Sequence, residues 1–180
     1  LEETDRVKKL NIINSISGIK PANLIGTVSK DKLSNVAIFS SIVHLGSNPA
    51  LIGFIARPTG EVPRNTYDNI LENGHYTINH VGEGFVKKAH YTSAKFDTDV
   101  SEFDACGLTE EYLFDFKAPF VKESPLKIGL KFQESIPIEI NNTIMIVGSV
   151  EHVFVDEESI SEEGYIDLEK LNTTGIGGLN

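Results

Sequence analysis

SNVAIFSSIVHLGSNPALIGFIARPTGEVPRNTYDNILENGHYTINHV, residues 34–81, decides how this chain is read. Two strand-like runs, VAIFSSIV and ALIGFIA, flank the turn at Asn48-Pro49, and Arg57 follows the second run. A Gly/Pro loop then leads to Arg64-Asn65-Thr66. There the pattern predicts a short helix, with Thr66 as cap, Tyr67, Ile70 and Leu71 as its buried side, and Gly74 as the residue that closes it. HYTIN, residues 75–79, re-enters a strand. Two guanidinium groups bracketing a loop that ends at a helix start suit a phosphate, because the first backbone N–H groups of a helix are unpaired. An ordinary sheet with two surface arginines has the same spacing, and spacing alone leaves both readings open.

The run Val36 to Val43 is expected to be one strand. Val36, Ile38, Ser40 and Ile42 share one side, Ala37, Phe39, Ser41 and Val43 the other, and neither side is fully polar. Such a strand is covered on both faces. Core covers one face; a ligand, a partner or a helix covers the other. Ser40 and Ser41 place two hydroxyls in this apolar run, and burying them unpaired is costly. A polar planar ligand or the neighbouring strand would satisfy them. Gly53, inside the strand Ala50 to Ala56, marks a bulge or a close approach.

Working outward, residues 4–13 read as a short helix with Thr4 as N-cap. Leu24 to Val28 reads as a strand, with SKDKLSN as the hairpin turn after it. Residues 82–108 form a mixed, polar excursion expected to hold short helices, one over 84–91 and one capped by Ser101, with a further turn at Thr109. Excursions of this kind commonly cover a site. Strands return at 126–132, 136–140 and 143–155, with Gly148 as a bend point and Asn141-Asn142 as a tight turn. DEESISEEG is a solvated acidic loop, and TTGIGGLN a flexible tail or one tied down by a partner. At least six strands and few long helices give a mainly β architecture, best closed as a barrel.

The 180 residues fit one domain, 1–180, and 40% hydrophobic content supports a real core. A net charge of −10 argues against a nucleic-acid surface. A single cysteine, Cys106, leaves no intrachain disulfide and no all-Cys metal site. His44, His75, His80, His90 and His152 are not spaced as metal pairs, so no metal is expected. No apolar run is long enough to span a membrane, and LEETDRVKKL lacks the apolar stretch of a signal peptide. The expected setting is the cytoplasm, with no membrane and no nucleic acid as partner. HExxH, GxSxG, Walker and GxGxxG motifs are absent from the sequence.

An ordered set of short motifs resembles the flavin reductase-like FMN-binding split-barrel family, which includes flavoredoxin. Asn35-Val36-Ala37-Ile38-Phe39-Ser40 is similar to the family's N-x-A-P-F-S strand, and Asn48-Pro49-Ala50-Leu51 to its double-proline entry to the next strand. Arg57 with Arg64-Asn65-Thr66-Tyr67-Asp68-Asn69-Ile70 resembles R…K-D-T-x-x-N-I, and Tyr76-Thr77-Ile78-Asn79-His80-Val81 resembles F-V-V-N-x-V. Thr92-Ser93-Ala94, Ser101-Glu102-Phe103, Cys106-Gly107-Leu108-Thr109, Glu123-Ser124-Pro125 and Ile166-Asp167-Leu168 follow in family order, so the likeness spans about residues 18–178. Ile38 stands in place of the usual Pro, Asn48 in place of a Pro, and Arg64-Asn65 in place of Lys-Asp.

The resemblance implies a split β-barrel with short flanking helices and FMN at a homodimer interface. It also implies hydride or electron transfer from NAD(P)H, through the flavin, to a flavin or other small-molecule acceptor. The alternatives are an FMN electron carrier without efficient NAD(P)H turnover, and a non-catalytic β-barrel binding module. The implied phosphate site is Arg57, Arg64, Asn65 and Thr66. The implied ring and ribityl site is Asn35, Ala37, Phe39, Ser40, Ser41 and Ile42, with Asn79 and His80 reaching in from the next strand. His80 is the one candidate for a catalytic role.

Overall fold

A computed structural model describes residues 3–57, 65–97 and 99–178. The helix expected at the start is α1, Arg6–Ser15, capped by the Asp5 carboxylate, which accepts from the N–H groups of Val7 and Lys8, rather than by Thr4. The strands that follow are β1 (Ile19–Pro21), β2 (Asn23–Val28), β3 (Ser34–Phe39), β4 (Val43–Ser47) and β5 (Ala50–Ala56). Helix α2 spans Asn65–Asn73 and β6 His75–His80. The excursion holds a 3-10 turn at 83–85, α3 (Val86–Tyr91) and α4 (Glu102–Cys106). Thr109 leads into a short strand, β7 (Glu110–Glu111), paired with β8 (Phe120–Val121), instead of the expected turn. The long strands are β9 (Leu126–Ile138) and β10 (Thr143–Val155), and β11 is Gly175–Gly177.

Seven strands form one antiparallel sheet in the order β3-β2-β6-β9-β10-β5-β4. The architecture is mainly β, as expected. The expected strand from Val36 to Val43 is two strands. The chain leaves β2 after Phe39 and rejoins the sheet at Val43, opposite Gly53 of β5. The Ser41 hydroxyl makes the change possible: it accepts from the Ile55 N–H at 3.1 Å and donates to the Ile55 carbonyl at 3.2 Å. One side chain thus satisfies two backbone groups that a ladder would otherwise pair. The two edges of the sheet meet at this point, and the Phe39 and Phe54 rings touch edge-on across it, 5.1 Å apart.

Residues 126–132 and 136–140, read as two strands, belong to one continuous strand that ends at Ile138, with 139–140 in the turn that follows. Its interior Pro137 pairs with Ile144 of β10, but β6 pairs only as far as Lys131, so this half of β9 has an open edge. An open edge is where a sheet tolerates proline. Gly148 lies at a register shift in β10, as expected of a bend point. A Cβ there would collide with the Tyr76 hydroxyl. Leu45 comes within 3.0 Å of where a Gly53 Cβ would lie, beside the bulge in β4, so Gly53 does mark a close approach.

Two apolar clusters fill the fold. Ile25, Phe54, Ile70, Tyr76, Ile78, Leu130 and Ile146 pack inside the barrel. Leu24, Val36, Val81, Phe85, Phe103 and Leu108 pack between the sheet and the excursion. The second face of β3 is therefore covered by helices of its own chain, one of the covers the sequence left open. The tail is not loose: β11 pairs with β1, Ile19 opposite Gly177 and Pro21 opposite Gly175. Helix α2 buries Thr66, Asn69 and Ile70, and Leu71 faces outward. Part of its buried side is polar because Asn69 and Thr66 hydrogen-bond Thr27 and Asn35, while Ile70 enters the barrel core.

Candidate functional site

A cleft of about 870 Å³ runs along the seam where β3 parts from β5. One wall is Asn35, Ala37, Phe39, Ser40 and Ser41; the other is Ile55, Ala56 and Arg57. Asn65, Thr66 and Tyr67, the first three residues of α2, close one part of it. The outer wall comes from elements distant in sequence: Asn14 and Lys20, the segment 92–96, and Ile176. The volume lies near the top of the range that takes a cofactor or drug-sized ligand, about 300–1,000 Å³.

The two serines have different tasks. Ser41 is spent on Ile55. Ser40, half-buried, lines the cleft and makes no side-chain hydrogen bond among the described residues. Thr66 donates its hydroxyl to Asn35 Oδ1 at 3.2 Å, so that hydroxyl is engaged within the fold. Asn35 also accepts from the Thr27 hydroxyl at 3.4 Å, and Thr27 in turn accepts from Asn69 Nδ2 at 3.1 Å. Asn35 Nδ2 donates to Glu102 Oε2 at 2.7 Å. This chain of side chains ties β2, β3, α2 and α4 together at the base of the cleft. The expected side-chain cap at Ser101 is absent, since its hydroxyl bonds Ser34 at 3.0 Å.

Arg57 is exposed where β5 ends, and Lys20, Lys95 and His90 line other parts of the same cleft. Lys20 is tied down: its ammonium donates to the Asn14 and Gly178 carbonyls at 2.8 and 2.7 Å. Glu102 is the one carboxylate lining the cleft among the described residues. Burial pushes its pKa up, opposed in part by hydrogen bonds from its own backbone, Asn35 and Val36.

Three predicted site residues are not in the cleft lining. Asn79 is fully buried; it donates to the Leu24 carbonyl and Thr77 and accepts from the Val121 N–H, tying β6 to the segment beside it. His80 lies opposite Asn23 on β6, and burial pushes its imidazole pKa down. Ile42 packs against the barrel core. Arg64 lies outside the described residues. Sequence reasoning missed Glu102 as a cleft residue. It also missed Lys20, whose partner Gly178 lies 158 residues away and leaves no local signal. Cys106 is buried, and its thiol pKa is raised by burial and then by the Glu102 charge, as suits a passive cysteine.

Comparison with solved structures places this architecture. The split-barrel-domain protein of Shewanella frigidimarina, assigned there to the flavin reductases, is 46% identical, with 99% of this chain and 88% of that one covered and a TM-score of 0.95. Flavoredoxin of Desulfovibrio vulgaris is 26% identical over 88% of this chain and 82% of its own, with a TM-score of 0.76. Nitrilotriacetate monooxygenase component B of Bacillus cereus shares the fold at a TM-score of 0.88, with 22% identity, 99% of this chain and 91% of that one covered. The family model described as the flavin reductase like domain matches residues 19–170. The seven-stranded split barrel and these matches lead to one assignment: the chain belongs to the flavin reductase-like family of split-barrel proteins.

Proposed function

We propose that this protein is an FMN-dependent oxidoreductase whose cleft holds the flavin between β3, β5 and the start of α2. The observation that carries the reading is the composition of that cleft: Ala37 and Phe39 on the strand wall, a Ser40 hydroxyl without a side-chain hydrogen bond among the described residues, an exposed Arg57 and a helix N-terminus at Asn65. These groups fit the parts of FMN in turn. Arg57 and the free N–H groups of α2 hold the phosphate, with Arg64 as a further cation. Ala37, Phe39 and the backbone of 37–40 flank the ring, and Ser40 donates to a ring or ribityl oxygen. The segment 92–96 and Ile176 keep water from the outer side. When bound, the flavin supplies the redox chemistry, taking hydride from NAD(P)H and passing electrons to a flavin or other small acceptor.

The working unit is proposed to be a homodimer with FMN at its interface, in the cytoplasm. Helix α1 supports a second copy: none of its residues is buried, and Val7, Leu10 and Ile13 are 62%, 51% and 45% exposed. No described helix is long and apolar enough to cross a membrane. Light scattering of the loaded protein should give twice the 19.8 kDa chain mass; the single-chain mass with FMN still bound overturns the shared site. Function is tested by anaerobic addition of NADH or NADPH to the FMN-loaded protein. Bleaching of the flavin band on the turnover timescale is expected. Full occupancy without bleaching by either nucleotide replaces the reductase with an electron carrier, and failure to take up FMN leaves a binding module of another kind.

A further inference from the structure

Strand β10 outruns one of its neighbours. Strand β5 pairs with it only from Ile144 to Ser149, whereas β9 stays paired with it as far as Val155. Beyond the register shift between Val150 and His152, the run from His152 to Val155 has one edge without a ladder partner among the described residues. Unpaired backbone groups on a strand edge are a template for a further strand, and sheets often blunt such edges with proline. The open half of β9 carries Pro137; the run from His152 to Val155 carries none. Val153, 50% exposed, stands on the face it shares with Ile128, and Phe154 on the opposite face.

A tight turn covers part of Phe154. It spans Leu113 to Phe116, closed by the Phe116 N–H donating to the Leu113 carbonyl at 3.0 Å. Its central residues, Phe114 and Asp115, have φ of 50° and 54°, a left-handed backbone that a bulky side chain such as Phe disfavours. The turn lays the Phe114 ring on Phe154, centroids 5.6 Å apart and planes within 16°, yet leaves Phe114 80% exposed. One face of that ring is used and the other is open. The chain around these rings is acidic and exposed: Asp115 beside Phe114, Glu151 at the register shift, and Asp156, Glu157 and Glu158 directly after the strand. Lys127 and Lys170 pair with Glu111 and Glu158, at 3.0 and 3.6 Å, which leaves Lys117 to offset the rest.

We propose that this edge docks an extended segment of another protein in which apolar and arginine side chains alternate. The backbone of the segment adds to β10 as a further strand. Its alternate side chains then fall on opposite faces. The apolar ones lie beside Val153. The guanidinium groups lie over the open face of Phe114, next to Asp115 and Glu151. Arginine fits this face because a planar guanidinium stacks on an aromatic ring while its charge meets the carboxylates. A second copy of this chain brings the same carboxylates to the edge, and like charges across a ladder oppose that pairing. The proposal is independent of the flavin reading.

The test is fluorescence anisotropy of a labelled octapeptide that alternates valine and arginine, titrated with the full chain. It should bind, more weakly as salt rises, and a peptide with glutamate in place of arginine should not. The arginine peptide N-methylated throughout keeps its charges but loses its N–H donors, and should bind about tenfold more weakly or worse. Phe114→Asn removes the ring and keeps a residue that tolerates positive φ. It should weaken binding of the arginine peptide about three- to thirtyfold, and a melting curve no lower than the parent's verifies that the variant folds. No binding of the arginine peptide overturns the proposal. Equal binding by the N-methylated peptide, or by the Phe114→Asn variant, reduces the effect to general attraction to an acidic protein and overturns it too. A mass in light scattering that rises with concentration, and falls back in Phe114→Asn, gives the edge to a second copy and likewise overturns it.

Discussion

Replacing Ser41 by alanine removes the side-chain hydrogen bonds that join the crossover after β3 to β5. Two hydrogen bonds go, at 3.1 and 3.2 Å, and both partners are backbone groups of Ile55. Each bond contributes about 0.5–1.5 kcal/mol, and because the seam is only part-buried, water takes over some of the loss, so Ser41→Ala should cost about 1–2 kcal/mol. For a chain of this size that lowers the melting temperature by about 2–8 °C. Ser40→Ala is the internal control. Its hydroxyl makes no side-chain hydrogen bond among the described residues, so stability should change by less than about 0.5 kcal/mol, while FMN affinity drops about two- to tenfold for one lost hydrogen bond. Thermal unfolding of the apoproteins and FMN titration of both variants give the four numbers needed. A Ser41→Ala variant that melts like the parent refutes the closure argument. A Ser40→Ala variant that binds FMN unchanged removes Ser40 from the site.

Arg57→Ala should weaken FMN binding about ten- to a hundredfold through loss of a charge-assisted contact, with little change in melting since the residue is exposed at a strand end; calorimetric titration decides. Burial raises the Glu102 pKa in the folded state above its unfolded value, so the folded protein binds the proton more strongly. Its contribution is present at low pH and lost as pH rises from about 4.3 through the folded pKa. Glu102→Gln keeps an acceptor for Asn35 and should flatten that part of the stability profile in urea unfolding; an identical slope contradicts the assignment. Gly148→Ala should destabilise by about 1–3 kcal/mol because its Cβ meets the Tyr76 hydroxyl. That hydroxyl is buried without a partner among the described residues, so Tyr76→Phe should be neutral or stabilising, and it should rescue Gly148→Ala only in part, since the added Cβ also meets the ring carbon Cζ at 2.9 Å.

Local sequence signals carried the elements whose causes are local. The strand Ala50–Ala56, the strand Thr143–Val155 and the close of α2 at Gly74, with its φ of 72°, stand where alternation, length and glycine placed them. The break in the strand expected from Val36 to Val43 was not legible. It depends on a serine in one segment meeting a backbone pair fourteen residues on, and serine in an apolar run has several possible partners. The same limit applies to the cleft. Arg57 and the helix start stood out because strand, loop and helix follow one another, while Asn35, Ala37, Phe39, Ser40 and Asn65 were implied by the family resemblance; all line the cleft. Glu102, Lys20 and Ile176 join them through tertiary packing. Asn79 illustrates the converse: its place in a family motif marked it as important, and its three hydrogen bonds give that importance a structural cause outside the cleft lining.

The central claim is that FMN occupies the seam between β3 and β5. A crystal structure of the protein soaked with FMN tests it most directly. The account predicts the ring against residues 37–40, the phosphate at Arg57 and the N–H groups of residues 65–67, and Ser41 still bonded to Ile55. Flavin bound elsewhere on the protein, or a phosphate held away from the start of α2, contradicts it.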